Sequence, residues 1–279
     1  MNNWKQLKSK DIPNIEDMLR DIERDYVNAC GRFLTMVPNR DAIWMLCGKD
    51  NLPRALMINS RSTLMPVLCG LREIPPLTFL NSFFRKKRIH SVQGKKEEIL
   101  IMEKEMEKIG RHSIDIYDYD LMTLDHLPLD SIPEQKIKNL VLRKPTLDDL
   151  NKLLPLREGY EREEVIPKGS KFSPAAARAT LINFIVRGKI LIAELGGCIV
   201  GKIIVNAVSF TRYQIGGVYV LPEYRGRGIA KHMTREFAAS IVNEGKGITL
   251  FVKKNNLPAR RLYLALGFKV NGDYRISYY

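Results

Sequence analysis

The 279-residue chain is 45% hydrophobic and 27% charged, with 45 Lys and Arg against 31 Asp and Glu and a formal net charge of +14. That balance excludes a disordered or fibrous chain. No apolar run approaches the roughly 20 residues of a membrane span, and the stretch from Met1 to Lys5 lacks a signal-peptide core. A cytoplasmic protein is expected. Cys30, Cys47, Cys69 and Cys198 lie far apart, and the four histidines show no ligand spacing. Neither a disulfide framework nor a metal site is therefore expected.

The length suits two domains. In the first, Ala42 to Cys47, a turn over Gly48 to Pro53 and Arg54 to Ile58 read as strand, turn, strand. Arg85 to Arg88 form a basic run, read as a solvated loop. Glu97 to Ile109 has helical amphipathicity, and Ser113 to Tyr117 suits a strand. The polar stretch from Pro128 to Lys138 marks a boundary, predicting domains at 1–135 and 139–279. The charge is uneven: residues 1–138 carry a net +2 and residues 139–279 a net +12.

In the second half, Asn139 to Lys144 reads as a strand and Thr146 to Asp149 as a helix start, with Leu147, Leu150, Leu153 and Leu154 as its stripe. Ser173-Pro174 opens another helix. Lys189 to Leu195, Gly196-Gly197 and Ile199 to Val208 predict a hairpin. Tyr213 to Leu221 is the next strand. It runs into Arg225-Gly226-Arg227-Gly228 and then a helix with Ile229, Met233, Phe237 and Ile241 on one face. A strand that hands a glycine-rich turn to a helix N-terminus builds an anion site, because the first backbone N–H groups lack intrahelical partners. The basic excess lies in this half, where it would speed capture of a phosphorylated ligand. The dinucleotide fingerprint fails because Lys231 stands at its third glycine, and the P-loop pattern is absent. A strand over Gly247 to Val252 follows, then a short helix from Asn256 to Leu266, and strands over Phe268 to Asn271 and Tyr274 to Tyr279.

Arg225-x-x-Gly228-x-Ala230 resembles the acyl-CoA pyrophosphate loop of the GNAT superfamily of N-acyltransferases. Asn256-Leu257-Pro258-Ala259-Arg260-Arg261-Leu262-Tyr263, ending in Gly267-Phe268, is similar to a second block of that superfamily. The two occur in the right order and cover about the last half of the chain. The resemblance implies an α/β (α+β) fold, a mixed, mostly antiparallel sheet flanked by helices. The order of elements in the first half echoes 189–252 and suggests a degenerate GNAT-like copy. That copy lacks Arg-x-x-Gly-x-Ala and is not expected to bind coenzyme A in the same way.

The resemblance further implies an N-acetyltransferase that moves an acetyl group from acetyl-CoA to an amine of a small molecule or amino acid by direct attack. Val218, Tyr219, Val220, Arg225, Gly226, Arg227, Gly228, Ile229, Ala230, Asn256, Ala259 and Arg260 would bind the cofactor. The backbone N–H of Val220 would meet the developing oxyanion, and Tyr263 would protonate the thiolate. An alkyl amine with a pKa of ~10.4 costs about 4.6 kcal/mol to deprotonate at pH 7, so a base matters. Many members carry a glutamate on the strand before the loop, but here the segment is Gln214-Ile215-Gly216-Gly217-Val218, with no acid. Glu161, Glu163 and Glu164 are the nearest candidates, with Glu163 and Glu164 taken as the catalytic pair. A solvated acidic loop balanced by Arg162 fits them equally on sequence. Gly216 and Gly217 leave room for the acceptor or mark a bulge. No membrane and no nucleic acid is expected as partner. The competing assignment is a non-catalytic acyl-CoA-binding module with a partner-binding first domain.

Overall fold

The computed structural model describes residues 4–37, 40–75, 77, 89–126, 137–167 and 171–279. The basic run at 85–88 and most of the 128–138 stretch lie outside them. In chain order the elements are β1 (Trp4–Gln6), α1 (Ile12–Leu34), β2 (Ala42–Cys47), β3 (Pro53–Ser60), β4 (Thr63–Val67), β5 (Ser91–Lys95), α2 (Lys96–Glu107) and β6 (Asp115–Leu124). There follow β7 (Leu140–Arg143), α3 (Leu150–Tyr160), α4 (Pro174–Val186), β8 (Ile190–Leu195), β9 (Cys198–Val208) and β10 (Arg212–Val220). The chain closes with α5 (Ile229–Asn243), β11 (Gly247–Lys253), α6 (Leu257–Ala265) and β12 (Lys269–Tyr278). None of the described helices is long and apolar enough to cross a membrane.

Contacts divide the chain into two units. One holds Met1–Met122, Phe251–Asn255 and Val270–Tyr279; the other holds Thr123–Leu250 and Asn256–Lys269. Residues 270–279, inside the expected 139–279 domain, pack with the first unit because β12 pairs with β5 over Tyr274 to Tyr278. Two final strands were expected, yet β12 is one strand that runs through Gly272 and Asp273 unbroken.

The first unit orders its strands β1-β2-β3-β4-β5-β12-β6. Helix α1 went unread in the sequence. Its buried face is Ile15, Leu19, Tyr26, Val27, Cys30 and Phe33, and Pro13 opens it. A five-residue β2–β3 loop closes the expected hairpin, and β4 and β5 run parallel, registered at Thr63↔Ser91 and Leu64↔Val92. Beyond that pairing lies Glu98 of α2. Its Oε1 accepts from the Tyr26 hydroxyl at 2.5 Å and from the backbone N–H of Leu68 and Cys69 at 2.9 and 3.0 Å.

The second unit orders its strands β11-β10-β9-β8-β7. Mixed pairing with one parallel contact, β10 with β11, matches the expected mostly antiparallel sheet flanked by helices. Local chemistry sets the elements as the sequence implies. Thr146 and Asp149 form a capping box ahead of α3, and Ser173 Oγ accepts from the Ala176 N–H to start α4. Gly196 and Gly197 take φ 58° and 83°, the two left-handed residues that a tight hairpin demands. One layer beneath the sheet is built by Leu150, Leu153 and Leu156 of α3 with Leu181, Ile190, Ile192, Ile204 and Tyr219. Helix α5 buries Ile229, Met233, Ala238 and Ile241 and packs on β8, β9 and β10. Phe237 is only half-buried.

Candidate functional site

Strand β10 builds the site because it leaves its neighbour early. Its parallel register with β11 covers Arg212↔Gly247, Tyr213↔Ile248 and Gln214↔Thr249. From Ile215 to Val220 that edge carries no registered strand among the described residues. On its other side β10 pairs with β9 and slips register between Gly216 and Tyr219, so one extra residue is accommodated. Gly217 takes φ 57° at this bulge, and a Cβ there would sit 2.8 Å from Ile204 Cδ1. The two glycines therefore mark a bulge. The N–H of Leu221 donates to Val200 of β9 at 2.9 Å. By the alternation of an antiparallel ladder, the N–H of Val220 points the other way, to the open edge.

The loop after β10 is exposed at Arg225, Gly226 and Arg227. Gly226 and Gly228 adopt φ 75° and 78°, and Gly228 is the N-cap of α5 with no side chain to satisfy its first turn. A Cβ at Gly226 would meet nothing within 4 Å, so the space above the loop is open. Among the described residues, no backbone acceptor receives the N–H of Gly226, Arg227, Gly228, Ile229 or Ala230. These five amides lie at the positive end of a 15-residue helix. Diphosphate chemistry fits it. Arg227 turns aside, with Nη2 on the Glu223 carbonyl at 3.1 Å and its guanidinium 5.3 Å from the Tyr224 ring centre.

Arg225 turns toward the acidic segment. Its Nε donates to the Val220 carbonyl at 3.0 Å, and its Nη2 donates to both oxygens of Glu163, at 2.9 and 3.0 Å. Glu163 also accepts from the Tyr219 hydroxyl at 3.0 Å. Next in sequence, Glu164 accepts from the Asn256 side-chain amide at 2.9 Å, while Asn256 Oδ1 caps α6 by accepting from the Ala259 N–H at 3.1 Å. Both glutamates lie in a π-helical turn, Glu161–Val165, that continues α3. Adjacent carboxylates thus reach the two sequence blocks, one each. Glu161 instead pairs with Arg157 at 2.5 Å.

Tyr263 is buried on the inner face of α6, its ring edge-on to Phe268 with centroids 5.7 Å apart. Burial, then the proximity of Tyr160 and of the Glu164 carboxylate, push its phenol well above the usual range, so it keeps its proton at neutral pH. Of the expected catalytic residues, Glu164 is the carboxylate whose field reaches Tyr263; Glu163 is engaged by Arg225 and Tyr219. Val218 and Ala259 are half-buried, and the Arg260 N–H is spent on the Asn256 carbonyl at 3.0 Å.

One residue that the sequence reasoning missed completes the surroundings. Lys202 of β9 is fully buried, donates from Nζ to the Gly217 carbonyl at 2.9 Å, and lies 4.4 Å from the Tyr160 ring centre. Burial, then the Arg157 cation, drive its ammonium well below the ordinary lysine value. Its signal was a single charge within the apolar run Ile199 to Val205.

Residues 155–268 match the family model described as Acetyltransferase (GNAT) family. A GCN5-related N-acetyltransferase from Sphaerobacter thermophilus is similar at TM-score 0.61 and 18% identity, over 99% of this chain and 95% of that one. A tandem GNAT protein from the clavulanic acid biosynthesis pathway is similar at TM-score 0.63 and 13% identity, over 100% and 98% of the two chains. A Drosophila protein solved by X-ray crystallography is similar at TM-score 0.67 and 12% identity, over 100% and 99%. No curated protein matches the chain. At these identities the likeness shows the fold: the chain has the GNAT architecture, and residues 155–268 form a GNAT acetyltransferase domain.

Proposed function

We propose that the second unit is an N-acetyltransferase that uses acetyl-CoA to acetylate an amine of a small molecule or amino acid. Enzymes of this family generally use acyl-CoA, and one observation supports that use here above others. Five consecutive amides without backbone acceptors stand at the head of α5, next to the open edge of β10. The residues from Gly226 to Ala230 would hold the diphosphate. The edge from Val218 to Val220, which carries no registered strand among the described residues, would pair with the amide-containing arm as an added strand does.

The carrier supplies an activated acyl carbon and a thiol leaving group. The Val220 N–H is aimed where the carbonyl oxygen gains charge. Glu164, fixed by Asn256, takes the proton of the attacking amine. As the C–N bond forms and the C–S bond breaks, Tyr263 returns a proton to the departing sulfur. Protonating a thiolate of pKa ~8.5 at pH 7 is worth roughly 2 kcal/mol, whereas freeing an alkyl amine costs about 4.6. Loss of Glu164 should therefore hurt an alkyl amine more than an amine of low basicity.

The test is calorimetric binding of acetyl-CoA, then thiol release across a panel of amines. Micromolar binding that Arg225→Ala with Gly228→Asp abolishes, together with thiol release on an amine, is expected. Unchanged binding by the double variant would remove the proposed site. Binding without turnover on any amine would favour a non-catalytic acyl-CoA module.

A further inference from the structure

Resting on the acyl-CoA site proposed above, we propose that Glu163 is an internal counter-anion that acyl-CoA must displace from Arg225, so that this carboxylate sets the cofactor affinity. Arg225 immediately precedes the five free amides, and its guanidinium faces Glu163 through two hydrogen bonds. The pair is about half exposed on both sides, 46% and 45%. Ion pairs that open to water contribute little and are readily exchanged.

A diphosphate held on residues 226–230 brings at least two negative charges to the residue next to Arg225. At physiological salt the screening length is about 8 Å. Glu163 and the bound anion would therefore repel one another while both attract one guanidinium. The guanidinium fork accepts a phosphate as readily as a carboxylate. Occupancy of the loop thus works against the Glu163 contact.

What Glu163 holds is the turn Glu161–Val165, closed by the five-residue bond from the Ile166 N–H to the Glu161 carbonyl at 2.8 Å. Such π turns are rare and are found at working sites. The second fastening, Glu164 to Asn256, does not involve the phosphate loop. Release of Glu163 from Arg225 would remove one fastening of the turn and leave its bonds to the Tyr219 hydroxyl and, through Glu164, to Asn256. The Arg225–Glu163 contact thereby couples cofactor arrival to the hold on the 161–165 turn.

The experiment titrates free coenzyme A into the full chain by calorimetry, for the wild type, Glu163→Gln and Glu158→Gln. Glu158 lies on the same segment and pairs with Arg162, away from the loop. Glu163→Gln should tighten coenzyme A about three- to tenfold, an effect that shrinks as salt rises, while Glu158→Gln stays at the wild-type value. Hydrogen exchange across 161–166 should quicken when the wild type is saturated with coenzyme A. A purely structural ion pair predicts the opposite sign, so unchanged or weaker binding by Glu163→Gln, or slower exchange in that turn, would overturn the assignment alone. A wild-type chain that does not bind coenzyme A would overturn the acyl-CoA site as well.

Discussion

Lys202 Nζ donates to the Gly217 carbonyl at 2.9 Å, which fastens a fully buried amine to the bulge of the strand that carries the proposed oxyanion donor. An amine driven down by burial binds fewer protons folded than unfolded. Its contribution to stability is present above the ordinary value of 10.5 and is lost as pH falls through the depressed folded value. Between those two values stability should rise by about 1.4 kcal/mol per pH unit. Lys202→Met should flatten that rise, measured by denaturant unfolding of both proteins from pH 7 to 10. Parallel curves would mean that Lys202 is charged in the fold.

Gly217→Ala should destabilise the second unit by about 1–3 kcal/mol. The added Cβ meets Ile204 Cδ1 and Cγ1 at 2.8 Å, and φ 57° is strained for any residue with a side chain. Adding Ile204→Ala should remove the clash but not the backbone strain, so the double variant recovers only part of the loss relative to Ile204→Ala alone. A thermal midpoint equal to wild type for Gly217→Ala would mean that the bulge relaxes.

In the first unit, burial raises the Glu98 carboxyl to about 7 despite the Tyr26 hydroxyl and two backbone donors on its Oε1. Among the described residues its Oε2 is buried without a hydrogen-bond partner. The folded state then holds a proton that the unfolded chain releases near 4.5, so this stability is present below 4.5 and is lost as pH rises to about 7. Glu98→Gln keeps an Oε1 acceptor and should gain on wild type by about 1.4 kcal/mol per pH unit across that window. Unfolding at pH 5 and 8 reads the difference; an equal gap at both would show that Glu98 is ionised throughout.

Tyr263→Phe keeps the ring against Phe268 and removes only the hydroxyl that would carry the proton. Turnover measured by thiol release should fall about 100-fold or more, with acetyl-CoA affinity within twofold of wild type. Equal turnover would make Tyr263 a packing residue of α6.

Much of the second unit was legible because its local signals agree. The Thr146–Asp149 box, Ser173-Pro174, Gly196-Gly197 and the Asn256 cap each sit where the structure starts or turns an element. The glycine turn ahead of α5 could be read from Gly226 and Gly228, both of which take left-handed backbone. What could not be read depends on side chains distant in sequence. Glu163 and Glu164 were visible as an acidic pair, but their division between Arg225 and Asn256 is set 62 and 92 residues away. The burial of Lys202 needs α3 above it, and the length of β12 needs β5 beside it. Helix α1 was overlooked although Ile15, Leu19, Val27 and Cys30 recur at helical spacing.

The most direct measurement is a crystal structure of the chain with acetyl-CoA. The diphosphate should lie within hydrogen-bonding distance of the amides of Gly226 to Ala230, with the thioester oxygen on the Val220 N–H. A cofactor bound elsewhere, with those amides still facing solvent, would contradict the account.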